Sequence, residues 1–116
     1  MSSESTKGFT IFVTVSIAPE NVDKFLDVIK PVFERITSLP ECEFFEIYST
    51  PEEPGTFSWI EDWNATREFL FEEEMSKDYF KDYVEKITPL LIKPREIKFL
   101  ERVSPRFLHS RIKPTA

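Results

Sequence analysis

The chain has 116 residues, 41% of them apolar and 15% aromatic, which is one modest domain with enough apolar side chains for a core, and excludes an intrinsically disordered chain. Fifteen Lys and Arg against twenty-one Asp and Glu leave a net charge of −6, which argues against nucleic acid as a partner. The single cysteine, Cys42, rules out an internal disulfide and effectively a structural zinc site, and no apolar run nears the ~20 residues of a membrane span.

Residues 1–8 hold no apolar stretch of signal-peptide length and read as a flexible N-terminus, so the expected location is cytoplasmic. Charge is unevenly spread. Glu41 to Glu85 carries fourteen acids and three bases, whereas residues 104–116 carry Arg106, Arg111 and Lys113 and no acid. That end reads as a basic tail, either solvated or folded back on the body or on a second subunit.

Phe9 to Ile17 alternates, with Phe9, Ile11, Val13, Val15 and Ile17 on one face and Thr10, Thr14 and Ser16 on the other, which predicts a strand. Phe12 interrupts the polar face, so that face has an apolar cover too. Pro19 and Glu20 open a helix. Its stripe is Val22, Phe25, Leu26, Ile29, Phe33 and Ile36, with Pro31 expected to kink it before it ends ahead of Pro40.

Cys42 to Thr50 predicts a second strand, with Phe44 and Tyr48 on one face and Phe45 and Ile47 on the other. The prolines and glycine of residues 50–55 mark a turn into a third strand, Thr56 to Trp63, closing a hairpin. Phe57, Trp59, Glu61 and Trp63 share one face of it. Asn64 or Thr66 can cap a second helical region. Ser76 reads as a fresh cap that divides it into two pieces, the second carrying Phe80, Val84, Ile87 and Leu91 with Tyr79 and Tyr83 alongside. Pro89 ends or bends this piece, and Arg95 to Val103 predicts a fourth strand.

The order β-α-β-β-α-β is α+β and ferredoxin-like: a four-stranded antiparallel sheet with both helices on one face. Its second face, partly apolar through Phe12, Ile60 and Phe44 or Phe45, predicts a homodimer through the sheet faces.

Three segments carry a resemblance: Pro40-Glu-Cys-Glu-Phe-Phe-Glu-Ile-Tyr48, then Pro51-Glu-Glu-Pro-Gly-Thr-Phe57, then Ile60-Glu-Asp-Trp63-Asn-Ala-Thr-Arg-Glu68. In this order they resemble the antibiotic biosynthesis monooxygenase domain family, over roughly 9–103, and Lys93-Pro-Arg-Glu96 is similar to a fungal subgroup. The resemblance implies a dimeric α/β barrel with a pocket between sheet and helices in each subunit. It also implies a cofactor-independent monooxygenase acting on a small hydrophobic aromatic ligand: quinol-like, anthrone-like or otherwise polycyclic. Family members with histidine in the second helical region would place it where this chain has Glu74 and Tyr79, followed by Phe80. The only histidine here is His109, in the tail, which argues against haem degradation. Alternatives are a non-catalytic stress or accessory protein that binds a hydrophobic metabolite, and a cyclase or lyase on the same fold.

Cofactor-free oxygenation needs an electron-rich phenol or enol to be deprotonated in a dry pocket, beside donors that stabilise the oxyanion. Glu61, Trp63 and Tyr79 are the candidate catalytic residues. Phe44, Tyr48, Trp59, Asn64 and Tyr83 are the candidate substrate-binding residues. A carboxylate on an aromatic face demands either a raised pKa, suited to acid–base work, or an ion pair with Arg95, Lys98 or Arg102 or a dimer contact. The two tryptophans fit either core or pocket wall. The tyrosines fit a substrate contact or a helix–sheet boundary, and Asn64 fits a helix cap as well as an oxyanion donor. Cys42 reads as a small buried hydrophobe. No glycine-rich phosphate loop and no metal-ligand spacing is present, so neither cofactor nor metal is expected.

Overall fold

The computed structural model describes residues 8–111. The expectations for Met1 to Lys7 and for Lys113 lie outside the described residues.

Strand β1, Phe9–Ser16, buries Phe9, Ile11, Val13 and Val15 and leaves Thr10, Phe12 and Thr14 half-buried. The chain turns through a 3₁₀ segment, Pro19–Asn21, into helix α1, Val22–Thr37, which continues through Pro31. Strand β2 is Cys42–Ser49 and β3 is Thr56–Trp63. After β3 come a short helix α2, Arg67–Phe69, a π-helical turn, Leu70–Glu74, and helix α3, Asp78–Ile87. Strand β4 is Glu96–Leu100.

The four strands form one sheet in the order β2-β3-β1-β4, and all three neighbouring pairs are antiparallel. The β-α-β-β-α-β order and the ferredoxin-like α+β fold are as expected from the sequence. The hairpin turn needs glycine: Gly55 has φ +92°, and a Cβ there would lie 2.0 Å from the Ile17 carbonyl oxygen. That close approach sets the 2.7 Å bond from Ile17 N–H to the Gly55 carbonyl, joining the turn to the end of β1.

Register decides what faces the helices. Val15, Val13, Ile11 and Phe9 of β1 stand opposite Phe57, Trp59, Glu61 and Trp63 of β3. Phe45 and Ile47 of β2 pair with Glu61 and Trp59 on the same face. Phe25 of α1 stacks on Phe57 and Trp59, with ring centroids 5.0 and 6.2 Å apart. The other face carries Phe12, Phe44, Tyr48, Ile60 and Leu100, with a Thr14–Ser58 hydroxyl pair at 2.9 Å between them.

Several details differ from the sequence reading. The buried stripe of α1 is Phe25, Ile29, Val32 and Ile36. Leu26 and Phe33 flank it and border a shallow apolar groove with Phe45 and Ile47, because a helix on a flat sheet seats only a narrow strip of its surface. Thr66 is the helix cap, accepting from Phe69 N–H at 3.0 Å, whereas the Ser76 hydroxyl donates back to the Glu72 carbonyl and α3 begins at Asp78. In α3 Tyr83 and Ile87 are the buried residues, with Phe80 and Val84 only partly so. Strand β4 is shorter than the expected 95–103, its pairing with β1 running only from Thr14–Glu96 to Thr10–Leu100. Beyond it Arg102 reaches Glu43 at 3.5 Å, a 3₁₀ turn spans Pro105–Phe107, and Val103, Phe107, Leu108 and His109 are exposed.

Candidate functional site

Alternation along β3 puts Trp59, Glu61 and Trp63 on the helix-facing side of the sheet, two residues apart. At that spacing each indole can reach the carboxyl between them. Trp59 Nε1–H donates to Glu61 Oε2 at 3.0 Å, and Trp63 Nε1–H donates to Oε1 at 2.9 Å. Glu61 is 8% exposed and, among the described residues, has no cationic partner within salt-bridge distance. The ion pairs with Arg95, Lys98 or Arg102 weighed for it do not form. Burial pushes its carboxyl above the ordinary range, and the two neutral indole donors only partly offset that.

Glu61 lines a cavity of about 70 Å³ between sheet and helices. Its walls are apolar: Ile11, Val13 and Trp59 from the sheet, Ile29 and Val32 from α1, and Leu70 and Phe80 from the second helical region. The polar groups in it are Glu61, Glu74, Tyr79, Tyr83 and Arg95. Exposed Ile97 and Phe99 of β4 lie on its open side. Tyr83 is 4% exposed, and its hydroxyl is fully buried with no hydrogen-bond partner among the described residues. The half-buried Arg95 guanidinium acts on that phenol electrostatically without meeting hydrogen-bond geometry; burial dominates and raises the phenol's pKa.

A second carboxylate borders the same cavity. The π-helical turn, closed by a 2.9 Å bond from Met75 N–H to the Leu70 carbonyl, turns Leu70 and Glu74 inward. Glu74 is 3% exposed and accepts from Tyr79 Oη at 2.7 Å, with Arg35 and Lys77 each at 3.3 Å. Burial alone would raise its pKa. The bonds from Tyr79, Arg35 and Lys77 outweigh burial and hold the carboxyl below the ordinary range, so Glu74 is a stable carboxylate. The Tyr79 phenol is pushed up by burial and by its bond to Glu74.

Of the residues singled out from the sequence, Glu61, Trp59, Tyr79 and Tyr83 meet around one cavity. Trp63 lies behind it, fully buried, and touches the site through Glu61. Phe44 and Tyr48 do not belong to the pocket wall. They project from the opposite face, 37% and 42% exposed, and the Tyr48 hydroxyl donates to Glu46. Alternation fixed that they share a face, but a bulge between Cys42 and Phe44 sets the register that turns Phe45 inward instead. Asn64 is exposed and away from the cavity, its backbone N–H bonded to the Glu41 carbonyl at 2.8 Å. Cys42 is half-buried, its thiol pushed up to about 11 by burial and by the charge of Glu61.

Sequence reasoning missed Glu74 and Arg35 as members of the site and considered Arg95 only as an ion-pair partner. Glu74 stands where the resembled family would place a histidine, but it closes a run of three glutamates whose other two are solvated, so nothing local marks it as buried. Among the described residues no group of three or more His, Cys, Asp or Glu could hold a metal ion, and no helix is long and apolar enough to cross a membrane.

Comparison with known proteins points one way. No family model matches the chain. A protein of Pestalotiopsis microspora, provisionally named a monooxygenase, is 26% identical over 103 residues, covering 89% of this chain and 86% of its own. A crystal structure from Caulobacter crescentus, provisionally named an antibiotic biosynthesis monooxygenase, superposes with a TM-score of 0.76 at 18% identity, over 87% of this chain and 94% of that one. A conserved protein of Methanosarcina mazei gives 0.75 at 21% identity, over 85% and 96%. These likenesses are of fold, and the fold is that of the family the sequence resembles.

Proposed function

From a fold shared with proteins named antibiotic biosynthesis monooxygenases, we propose that this chain is a monooxygenase that needs no resident cofactor and acts on an electron-rich, quinol-like or anthrone-like ring. The observation that carries the reading is Glu61, a buried carboxyl with no cationic partner among the described residues, held by two indoles and open to an apolar cavity. A carboxyl held above its ordinary range by burial is a stronger base than an exposed one and is suited to take a proton from a phenol or enol. The resulting oxyanion is electron-rich enough to reduce molecular oxygen. For an activated CH₂ the balance closes without any external reductant: one oxygen atom becomes the carbonyl, the other leaves as water, and the substrate supplies the electrons. Trp63 acts as a positioning residue for Glu61, and Tyr79, committed to Glu74, acts as wall rather than base.

The cavity narrows the substrate. A pocket that encloses a drug-sized ligand is roughly 300–1,000 Å³, whereas this one is about 70 Å³. The reactive ring is what enters, and any fused remainder extends past Ile97 and Phe99. The same small volume favours a second reading, a non-catalytic protein that holds a small hydrophobic metabolite.

The proposal extends to assembly and context. The partly apolar outer face, where Phe12, Phe44, Tyr48, Ile60 and Leu100 stand among Thr10, Glu46, Asp62, Glu96 and Lys98, supports a homodimer through the sheets. Residues 9–103 are the proposed working domain, 104–116 the appended tail, and the cytoplasm the proposed location.

Oxygen uptake with anthrones and hydroquinones, beside Trp63→Phe and Glu61→Gln, tests the activity. Uptake above the autoxidation blank that is lost in Glu61→Gln upholds the oxygenase. Ligand binding with uptake at the blank rate favours the binding protein.

A further inference from the structure

The polar groups around the cavity are matched with two exceptions. Glu61 is satisfied by Trp59 and Trp63, and Glu74 by Tyr79, Arg35 and Lys77. The Tyr83 hydroxyl is fully buried and donates to nothing among the described residues. Arg95 lines the same cavity and has no carboxylate within salt-bridge distance among them. Buried donors are ordinarily satisfied, and one left without an acceptor in an apolar cavity is costly unless something else supplies it. Here an unmatched donor and an unmatched cation face one small space.

The charges agree. Glu74 is offset by Arg35 and Lys77, which leaves Arg95 as the unbalanced cation of the cavity. Glu61 would repel an anion only while ionised; burial opposes ionisation against the two indole donors, and once Glu61 has taken the ligand's proton it is neutral. A cavity with one uncompensated positive charge, one spare O–H donor and apolar walls selects a ligand with a single negative oxygen on an apolar body. A volume of about 70 Å³ holds several waters or a body of about one ring, so of a fused polycycle only the ring that bears the oxygen enters.

Resting on the oxygenase reading for its choice of ring, we propose that the missing acceptor is an oxyanion of the ligand, a phenolate or a carboxylate on a single ring, received jointly by the Tyr83 hydroxyl and the Arg95 guanidinium. This pair holds the ionised form of the ligand. It is separate from Glu61, which takes the proton.

Binding measured without oxygen tests this apart from turnover. The probes are 4-nitrophenol, whose phenolate is coloured, its methyl ether 4-nitroanisole, and benzoate. They are titrated by absorbance and calorimetry into wild type, Tyr83→Phe and Arg95→Gln, with circular dichroism confirming the fold of each. At a pH near its own ionisation, bound 4-nitrophenol shifts toward the coloured phenolate and binds at least tenfold tighter than 4-nitroanisole. Tyr83→Phe weakens it about tenfold, and Arg95→Gln abolishes the colour shift. Displacement by benzoate extends the site to carboxylates, and failure to displace confines it to phenolates. The proposal is overturned if 4-nitroanisole binds as tightly as 4-nitrophenol, if the phenolate band does not move, if Tyr83→Phe binds like wild type, or if no probe binds. Oxyanion capture without oxygen uptake would leave this inference standing and remove the oxygenase. Uptake without capture would do the reverse.

Discussion

The indole N–H of Trp63 reaches Glu61 Oε1 at 2.9 Å from two residues along the same strand, so one stretch of β3 supplies both a buried carboxyl and its donor. Replacing Trp63 by Phe leaves Glu61 with Trp59 alone and opens a gap in the core. Together these effects destabilise the fold by about 1–3 kcal/mol. The carboxyl then moves further above its ordinary range. Because Trp59 would be the remaining fluorophore, the pH dependence of its emission reads this directly, and an unchanged midpoint would contradict the indole's role.

Glu61 also gives stability a pH dependence of known sign. Its pKa is higher folded than unfolded, so its contribution is fully present below the unfolded value of about 4.5 and is lost as pH rises through the folded one. Glu61→Gln removes that loss. The variant's melting midpoint, compared with wild type, should improve as pH rises above about 4.5 and level off above the raised folded pKa, and ~1 kcal/mol of that difference moves the midpoint of a small domain by about 4–8 °C.

Glu74 behaves oppositely. Its folded pKa is depressed, so its contribution is present above about 4.5 and is lost as pH falls through the lowered folded value. Arg35 and Lys77 are each about two-fifths exposed, with side chains at 41% and 44%, so their pairing is screened. Glu74→Gln keeps an oxygen that can accept from Tyr79 but removes the charge that strengthens that bond and pairs with Arg35 and Lys77, so it should cost about 1–2 kcal/mol at pH 7 and progressively less in acid. Denaturant titrations at pH 7 and pH 3 check it.

Tyr83→Phe deletes a hydroxyl that bonds to nothing in the described residues. Removing an unsatisfied buried polar atom is neutral to stabilising, by up to about 1 kcal/mol. A thermal melt that shows a clear loss would mean the hydroxyl already has a partner.

Ile60 sits half-buried on the outer face, opposite Phe12 and Glu46. If two sheets pack through that face, Ile60→Lys buries an unpaired charge at the interface and yields a folded monomer. Light scattering on both proteins decides it. Equal masses would remove this face as the dimer contact.

Strand parity was legible in the sequence because a pleated strand alternates its side chains whatever it packs against. That was enough to find the β-α-β-β-α-β order and to put Trp59, Glu61 and Trp63 on one face. Parity does not say which face meets the helices. For β3, three aromatics on one side made the choice. For β2, with Phe44 and Tyr48 against Phe45 and Ile47, the two faces look alike, and the bulge after Cys42 made it. In α3 the adjacent phenols Tyr79 and Tyr83 are equivalent by helical spacing. Only the π-helical turn, which delivers Glu74 to Tyr79 and leaves Tyr83 unmatched, distinguishes them.

By itself the sequence determined the elements, their order and the carboxyl set among indoles, all of which follow from spacing within one strand or helix. Tertiary structure decided the size of the cavity, the matching of Glu74 and the exposure of Phe44, Tyr48 and Asn64. Those depend on residues far apart in the chain, such as Arg35 and Glu74 or Tyr83 and Arg95, and no local periodicity encodes where two such elements meet.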